Sequence, residues 1–382
     1  MPSKTPACPA NAWFRGDCQQ RMNPIPRRSF IALTATALAA GCAGPRSSGG
    51  SSGSSARSAA RVPVIYSTDL MHPHEDPDDH FDLACLYAMP EADLRAVILD
   101  NRALPAKPPA FGAVWQLNYL TGRHVPAAVG LGAKLKSPGD RGLDQPAEFQ
   151  NGVNLLLQAL GDSREKVAII FVGSARDVMA AFNREPDLFR AKVRSIHGFI
   201  GEASDPGFIE YNVGLDPMAF AGLMRSGLPI FWLPCFDGGL WQNRGHASFW
   251  KIRHRDVIEH APEPLQRFFL YMLRKSDAEP IAYLSQPTSD ADRQWLMDGP
   301  RNLWAGALLG LAVNRAVRFE GKDVAGFSPV EVTVDDHGVV RYDKSPQSKS
   351  IMRFEIRDPA HFAAAATAAT AELLTAFPLA VH

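Results

Sequence analysis

The residues with most to offer chemically stand between Thr68 and His80, where Asp69, Glu75, Asp76, Asp78 and Asp79 are interleaved with His72, His74 and His80. Carboxylates this close repel, and each raises the pKa of its neighbours. A bound divalent cation relieves that repulsion, and hard carboxylate oxygens suit Ca²⁺ or Mg²⁺. The imidazoles leave room for a transition metal such as Zn²⁺. A plainer account also exists: acids in the first turn of a helix cap its free N–H groups and complement its dipole. That account covers one or two of these acids. Five of them, with Asp69 at a strand end, point to a cation.

Positioning these acids requires a strand on one side and a helix on the other. Val62 to Tyr66 is apolar and β-branched and reads as a strand, while Leu83 to Met89 reads as a helix. In an open α/β sheet ligands bind at the carboxyl ends of strands. The alternation continues down the chain. Strands are expected at Leu94 to Leu99, Val125 to Gly130, Ser195 to Gly201 and Leu228 to Pro234, and helices at Pro108 to Leu120 and Ala147 to Leu160. Val167 to Val172 is the most strand-like run, and its near-continuous apolarity suits a central parallel strand covered on both faces. Gly173 to Asp177 opens another helix. Asp216-Pro217 reads as an N-cap with proline in the first helical position. Glu210 and Asn212 are two apart, so in an extended segment they point the same way and Tyr211 faces inward. Residues 241–300 read as helices with long loops, in which His246, His254 and His260 are surface or packing residues. Arg301 to Ala305 is expected to open a helix running to about Val313. Val330 to Val334 and Val339 to Tyr342 form a hairpin, Met352 to Ile356 a further strand, and Asp358-Pro359 starts an Ala-rich terminal helix. The fold class expected is α/β: a mostly parallel, Rossmann-like open sheet with helices on both faces and a small antiparallel C-terminal piece.

The 382 residues are 46% hydrophobic and 21% charged, with formal net charge zero. A neutral chain without a basic run gives no support for nucleic-acid binding. Arg27-Arg28-Ser29-Phe30-Ile31, followed by the apolar stretch Ile31 to Ala40 and by Gly41-Cys42, has the layout of a twin-arginine export signal. Leu38-Ala39-Ala40-Gly41-Cys42 is similar to a bacterial lipoprotein box. Residues 1–41 are therefore expected to be an export signal, with Cys42 acylated or a soluble product cleaved nearby, and translation starting at Met1 or Met22. Residues 42–61 form a Gly/Ser-rich tether and 62–382 the folded domain. This predicts an exported protein, periplasmic or on the periplasmic face of a bacterial membrane, touching the membrane only through a lipid anchor. The folded domain has Cys85 and Cys235, 150 residues apart, and no disulfide is expected between them.

Several of these stretches resemble the inosine-uridine-preferring nucleoside hydrolases. The family's first signature is a strand, then Asp-x-Asp-Pro-Gly-x-Asp-Asp, then a helix. Asp69 matches its second Asp and Asp78-Asp79 its closing pair, whereas Ser67 stands for the first Asp and Leu70 to Pro77 replaces Pro-Gly-x. Asp100-Asn101 matches a Gly-Asn, Gly173 to Asp177 a Gly-Pro-Leu-Thr-Asn, Glu210-Tyr211-Asn212 a Glu-Phe-Asn, and Arg301-Asn302 a His-Asp. The resemblance spans about Val62 to Phe377.

What the resemblance implies is a metal-dependent hydrolase of N-glycosidic bonds in ribonucleosides or related glycosylated small molecules. Ca²⁺, ahead of Mg²⁺ or Zn²⁺, would be held by Asp69, Asp79, a backbone carbonyl at Arg176, and Asn302. Asp69 would act as the base, with Asp78 in the catalytic set. Asp78, Asn101, Glu210 and Asn212 would hold the hydroxyls of a ribose-like sugar, and Arg301 would offer a cationic contact. Asn302 supplies one negative charge fewer than the family's Asp, and Arg301 is no general acid near neutral pH. The alternative implied is a catalytically decayed, membrane-tethered nucleoside- or sugar-binding protein. Association into homo-oligomers stays open.

Overall fold

The computed structural model describes residues 61–101 and 109–380. The expectations for the export signal, for Cys42 and for the tether up to residue 60 lie outside the described residues. The chain divides into two units, Met1–Arg57 and Ser58–His382, and every described residue belongs to the second.

The strands are β1 (Val62–Thr68), β2 (Ala92–Leu99), β3 (Ala127–Val129), β4 (Val167–Phe171), β5 (Val193–Phe199), β6 (Ile230–Leu233), β7 (Trp250–Arg253), β8 (Pro300–Leu303), β9 (Arg318–Phe319), β10 (Lys322–Asp323), β11 (Ala325–Val334), β12 (Val340–Arg341) and β13 (Lys349–Ile356). The helices are α1 (Asp78–Ala88), α2 (Phe111–Thr121), α3 (Asn151–Asp162), α4 (Arg176–Arg184), α5 (Pro186–Lys192), α6 (Tyr211–Leu215), α7 (Pro217–Arg225), α8 (Arg255–Ile258), α9 (Glu263–Leu273), α10 (Pro280–Tyr283), α11 (Asp290–Asp298) and α12 (Phe362–Thr375). Among the described residues, a nine-stranded sheet runs β12-β11-β13-β6-β5-β4-β1-β2-β3. Pairing is parallel from β13 through β3, and antiparallel only where β11 joins β13 and β12.

Alternation of side chains across the pleat builds two cores. From β1, Val62, Val64 and Tyr66 enter one core while Ile65 enters the other. From β4, Ala168 and Ile170 face the first, and Val167, Ile169 and Phe171 the second. The first is covered by α1, α2, α9, α12 and a 3-10 helix at Gly306–Val313, the second by α3, α4, α5 and α7. β4 lies between β1 and β5 as a central, fully buried parallel strand, as its composition requires. Asp216 caps α7 by accepting the Ala219 N–H at 3.0 Å, with Pro217 in the first turn. Cys85 and Cys235 are free thiols, both buried.

Several elements depart from expectation, among them β7, a strand in a region read as helices and loops. The helix predicted from Arg301 is a strand, β8, paired antiparallel with β7 so that Asn302 stands opposite Lys251. Helical backbone begins only at Gly306, whose φ of +43° turns the chain sharply before the apolar run Ala307 to Val313. The apolar stripe was legible in the sequence, but the cross-strand partner of residues 300–303 was not.

Candidate active site

Strand ends are registered to one another at the carboxyl edge of the sheet. Asp100 N–H donates to Thr68 O at 2.8 Å, Val172 N–H to Ser67 O at 3.0 Å, and Gly130 N–H to Leu99 O at 2.9 Å. Asp69 follows β1 here, and the backbone of Gly173, just past β4, packs directly on it. A Cβ at Gly173 would lie 2.9 Å from Asp69 Cβ and 3.1 Å from Asp100 Oδ2.

The chain then crosses the edge as Leu70 to Pro77 and enters α1. This loop is tied down: Leu70 accepts the Ala110 N–H at 3.1 Å, His72 stacks on Tyr271 with ring centroids 4.7 Å apart, and His72 Nε2 hydrogen-bonds Ser276 O at 2.7 Å. Helix α1 has no side-chain cap at its start, so Asp78 and Asp79 do not serve the capping role that composition alone would give them. Instead Asp78, Asp79 and Asp82 bring a carboxylate oxygen each to within 4.8 Å of one another. Thr68 donates its hydroxyl to Asp79 Oδ2 at 2.5 Å, and Gly306 N–H donates to Asp82 Oδ1 at 2.5 Å. Asp82 Oδ2 and the Tyr66 hydroxyl are buried beside this group with no hydrogen-bond partner. Burial, then the mutual repulsion of Asp79, Asp76 and Asp82, lifts Asp78 well above the carboxylate range. Burial raises Asp79 to about 7 against the pull of the Thr68 hydroxyl, and burial followed by the charge of Asp79 lifts Asp82. A buried group of like charges with an orphaned oxygen fits a divalent cation: it supplies hard, acceptor-only ligands and lacks the positive charge that would balance them. The three histidines are not part of this group. Burial, opposed by its Ser276 carbonyl contact, lowers His72; burial, then the charges of Lys275 and Arg301, lowers His74 to about 4; and burial keeps His80 neutral.

Asp82 is the functional candidate that reading by resemblance missed. Its signal was in the sequence: three residues after Asp79 and four after Asp78, it shares their helix face.

The remaining expected residues divide. Arg176, the first residue of α4, is buried, and its guanidinium turns to acids rather than to a cation site: Nε lies 3.1 Å from Asp216 Oδ2 and Nη1 3.3 Å from Asp100 Oδ1. It also donates to the carbonyls of Asn101 at 2.7 Å, Leu131 at 2.8 Å and Leu215 at 3.2 Å. Asp177, next along, accepts Leu131 N–H at 2.9 Å, and burial followed by the charge of Asp100 raises it to about 7. Asn101, two residues past β2, has its side-chain amide 3.2 Å from where a Cβ on Gly132 would stand.

Glu210, Tyr211 and Asn212 are not an extended run. Glu210 is the N-cap of α6, buried, and accepts N–H groups from Gly201 at 2.9 Å, Asn212 at 2.9 Å and Val213 at 3.2 Å. Tyr211 faces outward at 55% exposure, the reverse of what alternation predicts, because a helical turn replaces the strand. Asn212 donates Nδ2–H to Val172 O at 2.9 Å, at the end of β4, while its Oδ1 is buried without a partner. Arg301 Nη1 forms an ion pair with Asp76 at 2.9 Å, bridging β8 to the acidic loop.

An aromatic group borders the acids. Phe236, Trp241, Phe249 and Trp304 pack with centroids 5.4 to 6.3 Å apart, and Phe208 joins at 5.8 Å from Phe236. Cys235 belongs to this group, and its thiol is raised by burial and then by the charges of Glu210, Asp78 and Asp79; Trp304 stands two residues before Gly306, whose N–H reaches Asp82. Near them His246 Nδ1 lies 2.9 Å from Asp237 Oδ2, so this histidine is paired rather than a plain surface residue.

Comparison with solved structures places this architecture. The chain superposes on an inosine-uridine-preferring nucleoside hydrolase from Bacillus anthracis with a TM-score of 0.50 at 13% identity, covering 82% of this chain and 100% of that one. A plant nucleoside hydrolase gives 0.50 at 16% identity, covering 82% and 99%. The fold is that of the nucleoside hydrolases. No family model matches the chain. In sequence, the chain is 27% identical over 189 residues to the pyrimidine-specific ribonucleoside hydrolase RihA of Citrobacter koseri, and 24% identical over 187 residues to RihA of Escherichia coli SMS-3-5. Each match covers 44% of this chain and 58% of the other protein, so the shared stretch spans little more than half the length of these curated relatives.

Proposed function

We propose that this protein hydrolyses the N-glycosidic bond of a ribonucleoside or a related glycosylated small molecule, assisted by one divalent cation, Ca²⁺ by the hardness of the ligands. The observation that carries this reading is the buried carboxylate group at the carboxyl end of β1, set in a nucleoside hydrolase fold. Asp69 and Asp79 would hold the cation, with Asn302 and the backbone near Arg176 as further oxygen donors. When bound, the cation orients a water and lowers its pKa. Asp69, held against Gly173, accepts the proton that the attacking water loses. Asp78, Asn101 and the unpartnered Asn212 Oδ1 receive sugar hydroxyls, and these contacts strengthen as the ring gains oxocarbenium character. The aromatic group beside them offers flat faces to an aromatic leaving group.

Glu210 takes a different part from the one the resemblance implies. With three backbone N–H groups already on its carboxylate, it holds Asn212 in place. That consumption favours a second reading, in which sugar is bound without turnover. We also propose that Arg27-Arg28 directs export and that Cys42 carries a lipid anchor; labelling with a radioactive fatty acid, lost in Cys42→Ala, tests this.

The deciding experiment is release of free sugar from a panel of nucleosides, with and without chelator, beside an Asp79→Ala control. Chelator-sensitive release absent from the control supports the hydrolase. Binding of nucleoside with no release supports the second reading, and neither binding nor release refutes both.

A further inference from the structure

Helix α1 carries an expensive arrangement. Asp78, Asp79 and Asp82 stand at i, i+1 and i+4, and like charges at helical i,i+3 and i,i+4 spacing repel. Around Asp82 the helix is otherwise apolar: Phe81, Leu83, Ala84 and Cys85 are all at 0% exposure, and Asp82 itself is at 1%. The nearby cation Arg301 forms its ion pair with Asp76, and its charge only partly offsets the repulsion on Asp78. One oxygen of Asp82 accepts Gly306 N–H, yet Oδ2, buried and against the other carboxylates, accepts nothing; the fully buried Tyr66 hydroxyl alongside is also unpartnered. An unpaired buried carboxylate is strongly unfavourable.

We propose that Asp82 is a direct ligand of the divalent cation and supplies, from within α1, the carboxylate charge that Asn302 lacks. The inference rests on the metal-dependent reading above and adds to it one residue. The geometry supports it in three ways. The three carboxylate oxygens lie within 4.8 Å of one another, a span a single oxygen-ligated cation covers. Thr68 fixes Asp79 and Gly306 fixes Asp82, each through one oxygen, which leaves the other free to coordinate and is how outer hydrogen bonds orient metal ligands. And a cation would balance charge that no ion pair among the described residues balances.

The test uses the purified protein, stripped with chelator, with Ca²⁺ as the probe. Calorimetric titration and the thermal midpoint are read for the native chain, for Asp82→Asn, which keeps an acceptor for Gly306 N–H, and for Asp82→Ser, a smaller variant should the first not fold. Native protein is expected to bind one Ca²⁺ and to melt higher with it. Each variant is expected to bind Ca²⁺ about tenfold more weakly or worse. Asp82→Asn should also melt higher than native protein in chelator, because repulsion is relieved, a signature that a mere cap for Gly306 would not give. Unchanged Ca²⁺ affinity in the variants overturns the role of Asp82 while chelator-sensitive sugar release would leave the hydrolase reading standing. Absence of Ca²⁺ binding by native protein also overturns it, the acids then sharing protons instead, and chelator-insensitive sugar release in that case removes the metal from the hydrolase reading as well.

Discussion

Gly173 is where one missing atom bears on the acids. A Cβ added there would lie 2.9 Å from Asp69 Cβ and 3.0 Å from the Asp69 backbone nitrogen. Gly173→Ala is expected to displace Asp69 and cut sugar release by about tenfold or more, with a stability loss of about 1–3 kcal/mol, read by turnover and chemical denaturation. Asp177 makes a pH prediction. Burial, then Asp100, raises its folded-state pKa from 3.8 to about 7. Between those values the folded chain holds a proton that the unfolded chain lacks, so this residue's contribution to stability falls as pH rises from about 4 to about 7. Asp177→Asn keeps the acceptor for Leu131 and does not titrate. Its stability relative to native protein is expected to climb across that window, measured as paired denaturation midpoints. The comparison must be paired because the buried His74 and His197, both lowered by burial first, titrate in the opposite sense over the same acidic range.

Elements at the carboxyl edge are clamped by single residues, and that is where the sequence was hardest to read. The succession of strands along the chain from β1 to β6 and the centrality of β4 were legible, because a run such as Val167 to Val172 has one comfortable environment. So was Asp216-Pro217, because a cap and its proline are local. What was not legible depends on partners far along the chain. Glu210 reads as part of an extended segment until it is seen to cap α6 and to accept from Gly201, nine residues earlier. Arg176 reads only as a source of a backbone carbonyl until Asp100 and Asp216 are brought to its side chain from 76 and 40 residues away. Asn302 reads as helical until Lys251 pairs with it. Arg176 joins the end of β2, the segment after β3, and the α6–α7 corner. Arg176→Met is expected to cost about 3–5 kcal/mol, since it strands two buried carboxylates, and Arg176→Lys most of that, since an ammonium cannot reach all five acceptors. Glu210→Ala should lower stability by about 1–2 kcal/mol through loss of the α6 cap, with a fall in sugar affinity that follows Asn212; a drop in affinity at unchanged stability would return Glu210 to the sugar site.

Across the whole molecule, the sheet ends in very short strands: β3 has three residues and β12 two. No helix among the described residues is long and apolar enough to cross a membrane. The aromatic group by the carboxylates has an optical consequence. Trp241, 46% exposed, and Trp304, two residues before the Gly306 that bonds Asp82, stand with ring centroids 5.9 Å apart. Indole emission shifts with local polarity and is quenched by stacked rings. A flat molecule entering here would announce itself in the protein's own fluorescence, without a label and whether or not any bond is broken.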